Sequence, residues 1–149
     1  MSDDSREGND LATEAQRPAQ RPREPREAFQ HEIAAVELML RQCAGAIDDH
    51  DFEAVQYLAE HAAAHWLASR VECRCVLQGI KEASPYALAM RTALDNNYMA
   101  LLELFRRATE TIAVPGMKQR VDRARAALVA ANAKPLLVVH ASPATATEQ

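Results

Sequence analysis

Apolar residues recur at alternating steps of four and three along three successive segments of this chain. Phe29, Ile33, Val36, Leu40, Cys43 and Ile47 mark the first. Phe52, Val55, Ala59, Ala62, Trp66, Cys73, Val76 and Ile80 mark the second, with Ser69 as its polar member. Leu94, Tyr98, Leu101, Phe105, Ala108 and Ile112 mark the third. A mean spacing of about 3.5 residues keeps one helical face turned toward a partner helix. A strand would need alternation at every second residue. Only four glycines occur in 149 residues, and β-branched runs are scarce before the C-terminus, which also disfavours a sheet. The expected fold class is therefore all-α: an antiparallel three- to four-helix bundle, or coiled-coil hairpin, with disordered N- and C-terminal tails.

The breaks between stripes set the boundaries. Residues 1–24 are polar and carry the imperfect repeat Gln16-Arg17-Pro18, Gln20-Arg21-Pro22, Arg23-Glu24-Pro25. Prolines at this density deny helical hydrogen bonds and the charges resist burial, so a disordered Pro/Arg-rich tail is expected. The bundle is expected over 25–133. Its first helix opens at Pro25, a residue suited to a first turn, and runs to about Ile47. The cluster Asp48-Asp49-His50-Asp51 suits a helix N-terminus, where carboxylates meet free N–H groups. Asp51 is the expected N-cap of a helix over 51–83. Ser84 caps the next, over 85–113, with Pro85 at its first position.

These two helices of roughly 30 residues would each span about 45 Å. Their connections are too short for crossovers, so neighbours must run antiparallel. Val114-Pro115-Gly116 interrupts the pattern. A fourth amphipathic helix over 117–133 then places Met117, Val121, Ala124, Leu128 and Ala131 on one face. Its other face carries Lys118, Arg120, Arg123 and Arg125 with Asp122. Residues 134–149 read as a flexible tail, and Leu136–Val139 is too short to be a domain element.

The stripes hold almost no chemistry. No glycine-rich phosphate loop, H-E-x-x-H or G-x-S-x-G occurs, so no enzyme, cofactor or catalytic residue is expected. His61 and His65 share a helical face, which is permissible metal-ligand spacing. His50 and Glu72 lie near the same line, but about 16 Å and 10 Å away along the helix axis. The third helix holds no His or Cys, so no metal site is expected. Of the three cysteines, Cys43 and Cys73 fall on apolar stripes and Cys75 lies about 200° round the helix from Cys73. A net charge of −4 gives no whole-chain attraction to nucleic acid, and no apolar run approaches a membrane span. The N-terminus lacks a basic-then-apolar leader, so a reduced, cytoplasmic protein is the expectation. Trp66 reads as core, or else as the flank of an opening between the second and third helices.

The junction Leu40–Val55, with Asp51-Phe52-Glu53-Ala54-Val55 at the turn, resembles flagellar type III export chaperones of the FlgN/FliT type. Asn97 and Leu101-Leu102 resemble the opening of that family's third helix, so the resemblance spans about residues 29–114. It implies a non-enzymatic chaperone that holds an amphipathic helix of a secreted client, of the hook-associated or filament-cap type. Leu102 and Leu104 widen the apolar arc of the third helix beyond its stripe. The expected contact set is therefore Leu94, Leu101, Leu102, Leu104 and Phe105, covered by Val121, Ala124 and Leu128 when no client is bound. Two alternatives stay open: a structural or oligomerising bundle of scaffold or phasin-like type, and a His-based metal-binding bundle. Homo-oligomerisation stays open with them.

Overall fold

The computed structural model describes residues 24–79 and 84–136. Among these, four helices follow in order: α1 Pro25–Asp48, α2 Phe52–Gln78, α3 Pro85–Thr111 and α4 Pro115–Asn132. No strand occurs among the described residues. α2 ends at Gln78 with Gly79 as its C-cap, short of the expected 83; the expected N-terminal tail, residues 80–83 with Ile80, and the chain from 137 onward lie outside the described residues.

Local chemistry explains each boundary. Pro25, Pro85 and Pro115 all sit in the first helical turn, where a missing N–H costs nothing and the ring presets φ. The fourth helix therefore starts two residues before the predicted Met117. The chain is extended at Ile112 and Val114, and that is where the helix breaks. Asp51 caps α2 by accepting from the Ala54 N–H at 3.3 Å, and Ser84 caps α3 by accepting from the Ala87 N–H at 3.1 Å. Both caps are the predicted ones.

The α1–α2 turn is a Schellman closure. The Asp51 N–H donates to the Ala46 carbonyl at 3.0 Å, and the His50 N–H donates to Ile47 at 3.1 Å. This geometry puts His50 in the left-handed region, at φ 56°. Glycine usually holds that position because it has no Cβ to clash.

Cross-helix pairs reveal the topology. Cys43 reaches Val55 and Glu32 reaches His65, so residue numbers fall along one helix as they rise along the other. α1 and α2 are antiparallel. Glu37 meets Asn97 and Asp48 meets Arg107, pairs 60 and 59 positions apart, which makes α1 and α3 parallel. Glu60 with Arg120 and Arg70 with Lys134, 60 and 64 apart, align α4 in the same sense as α2. The bundle runs up, down, up, down.

The packing is not a closed square. α2 and α3 touch each other and both outer helices, whereas α1 and α4 do not meet. α2 and α3 thus form the short diagonal, with α1 on one flank and α4 on the other. Phe29, Ile33, Val36, Val55, Trp66, Met90, Leu101 and Phe105 fill the core with Cys43 and Cys73. The second stripe is buried from Val55 through Val76, Ser69 included, whose Oγ donates to the Trp66 carbonyl at 2.7 Å, and Phe52 is partly buried. Such a back-bond lets a hydroxyl sit in an apolar stripe without an orphaned donor.

Candidate functional site

The expected contact set lies on α3 and α4, within the core that these helices share with α2. Leu94, Leu101, Leu104 and Phe105 are buried, and Leu102 is half-buried. From α4, Val121 and Leu128 are buried while Ala124 is half-buried. All eight belong to one continuous core. None is free surface while α4 is seated, because the extra width of the α3 arc is divided among α1, α2 and α4.

α4 is held lightly for its length. Its 18 residues bury only Val121 and Leu128, with Met117, Ala124 and Ala131 partly covered. The register explains this: anchors seven positions apart lie two turns apart on one face, and between them stands alanine. The opposite face is charged and exposed. Arg120 grips Glu60 of α2 through two hydrogen bonds of 2.9 and 3.1 Å. Arg120 is 57% exposed, so the pair contributes at most about 1 kcal/mol.

A second tie lies at the other end. Arg70 of α2 donates from Nη2 to the Lys134 carbonyl, just past α4, at 2.6 Å. A cation on the last carbonyls also suits the negative end of the helix dipole. Arg70 is only 8% exposed. Burial, reinforced by Arg74, lowers the pKa of its guanidinium from the ordinary value.

Trp66 settles into both expected roles. It is buried, donates from Nε1 to the Leu94 carbonyl at 3.0 Å, and lies tilted against Tyr98 at 5.5 Å between ring centroids. It also lines a cleft between α2, α3 and the end of α4. Across the bundle, buried Asn97 donates to the Ala93 carbonyl at 2.9 Å and reaches Glu37 of α1 at 3.5 Å.

The histidines do not converge. His65 pairs with Glu32 of α1, both partly buried. The His61 ring nitrogen instead lies 2.8 Å from the Tyr57 carbonyl, and its ring rests on that of Tyr57. No three His, Cys, Asp or Glu side chains gather in metal-binding proximity among the described residues. Cys43 and Cys73 are fully buried thiols raised to about 11 by burial, and Cys75 is exposed. About 200° of helical rotation separates the last two, as the spacing predicts. No described helix is long and apolar enough to cross a membrane.

Sequence reasoning missed Arg70, Arg91 and Lys134. Arg70 did carry a signal, since it sits four residues after Trp66 beside the stripe, where a charge is out of place. Arg91 and Lys134 carried none, because folding alone brings three distant segments to one cleft. No family model, curated protein or solved structure matches the chain.

Proposed function

We propose that this chain is a non-enzymatic helical binding protein whose α4 covers an apolar surface of α2 and α3 that a client helix takes over. The carrying observation is the seating of α4 on α2 and α3 by only two buried anchors, in one core with Leu101, Leu104 and Phe105. An incoming amphipathic helix with large residues at i, i+3, i+4 and i+7 would bury more area than an alanine-rich cover. The resemblance over residues 29–114 supplies the client class: a secreted flagellar subunit of hook-associated or filament-cap type, held in the cytoplasm before export.

The test compares the full chain with chains cut before Pro115 and with the Val121→Ala/Leu128→Ala variant. Binding of a synthetic amphipathic client helix is read by calorimetry. Removing or weakening a competing cover should tighten binding, because the open state no longer has to be won from the closed one. Unchanged or weaker binding in both variants rejects the cover.

A second reading, the self-associating scaffold, has one observation in its favour. Leu88 is 66% exposed on α3. It stands in a shallow groove of about 510 Å³, lined by Ala89, Ala93 and Thr92 with Glu37 of α1. Light scattering separates the two: a stable oligomer that Leu88→Lys dissolves supports the scaffold.

A further inference from the structure

Beside the end of α4, a cleft of about 290 Å³ opens between α2 and α3. Trp66, Leu94 and Leu136 give it apolar walls. Three cations line it, Arg70, Arg91 and Lys134, against a single carboxylate, Asp95. The local balance is positive in a chain whose net charge is −4.

Arg70 makes this a built site rather than a surface cluster. Arg70 as a whole residue is only 8% exposed. Among the described residues its one acceptor is the Lys134 carbonyl. A guanidinium carries five N–H donors in a fixed fork, so most remain for a ligand. None of the ion pairs among the described residues involves Arg70 or Arg91. A buried cation with no counterion among the described residues is costly, and a bound anion would relieve that cost. The positive field reaches inward too: Arg91 and Arg70 both pull the Cys73 thiol downward, against the stronger effect of burial.

We propose that this cleft binds a small organic carboxylate, held by Arg70 and Arg91, with its apolar body against Leu136 and the edges of Trp66 and Leu94 that reach the cleft. The volume lies at the small end of ligand pockets, which fits a fragment-sized acid. The apolar walls favour an acid with a hydrocarbon portion over a bare inorganic anion. A free acid and the C-terminal carboxylate of a polypeptide share this chemistry. The cleft is present with α4 seated, so the inference does not depend on displacement of the cover.

Trp66 is the sole tryptophan, so its emission reports directly on the cleft. The full chain is titrated at low salt with hexanoate, hexanamide, inorganic phosphate, and acetyl-Ala-Ala-Leu as free acid and as amide. The expected result is saturation by a carboxylate at low millimolar concentration or below. Each matched amide should bind at least about tenfold more weakly, as befits loss of a charge-assisted pair. Arg91→Gln, at an exposed position, should weaken the acid about fivefold or more. Arg41→Gln, on exposed α1, should not change it. Arg70→Gln should weaken it further, and Arg91→Gln keeps the test independent of the Arg70 tie to α4. Whichever acid binds better, hexanoate or the tripeptide, identifies the source and supports the site. Equal binding of acid and amide, phosphate binding as tightly as hexanoate, no effect of Arg91→Gln, or no saturation each overturns it.

Discussion

If α4 is a removable cover, weakening its seat should free α4 without loosening the rest of the bundle. Leu128 is fully buried and is one of only two such side chains on the helix. Leu128→Ala removes its packing and leaves a hole that a flanking helix can partly settle into. A cost near the low end of buried leucine truncations, about 2–3 kcal/mol, follows. That corresponds to a roughly 30- to 150-fold rise in the population of undocked α4. The assay is native-state hydrogen exchange resolved by helix. Amides of α4 should speed up by that factor, while those of α1 and α2 around Val36 and Val55 change little. Val129→Ala, at a position 39% exposed, should alter exchange by less than about twofold. The reasoning is refuted if Leu128→Ala accelerates all four helices together, because α4 would then open only with the whole domain.

Four further outcomes follow from local geometry. An added Cβ at Gly45 meets nothing within 4 Å, so Gly45→Ala should stabilise the chain by about 0.5–1 kcal/mol, read as a higher urea midpoint. At left-handed His50, His50→Gly should stabilise by up to about 1 kcal/mol and His50→Val should destabilise by at least as much; equal midpoints would show the strain to be absent. Burial raises the thiols of Cys43 and Cys73 from 9.0 to about 11. The sign is unambiguous: their contribution is intact below pH 9 and is lost as pH climbs toward 11. Going from pH 8 to 10 should cost about 1 kcal/mol per thiol, a slope that Cys43→Ala/Cys73→Ala flattens in urea titrations. In native protein, a maleimide should label Cys75 well before the other two.

Much of the fold was legible because each signal was local. The four-three stripe, the caps Asp51 and Ser84, and Pro25 and Pro85 at first helical turns act within a few residues, and each appears where the spacing placed it. The fourth helix was less legible at its start, since Pro115-Gly116 reads as an interruption until the extended backbone at Ile112 and Val114 shows where the break falls. Leu94, Leu101, Leu104 and Phe105 were legible as apolar, but not which neighbour would cover each. Arg70 was visible as a charge beside Trp66, yet its partner is a backbone carbonyl 64 positions away. No local pattern encodes that distance.

The sequence by itself determined the helices, their antiparallel succession and the face each would bury, because helical periodicity and capping depend on neighbours along the chain. Only the tertiary structure decided that α2 and α3 form the short diagonal, leaving α1 and α4 on opposite flanks. Side-chain volume made that choice. The large residues Trp66, Leu101 and Phe105 lie on the central pair, whereas α4 contributes two sizeable anchors separated by alanine and so is held as an outer layer. The same arrangement brings Arg70, Arg91 and Lys134 to one cleft, where three separate segments build a positive pocket.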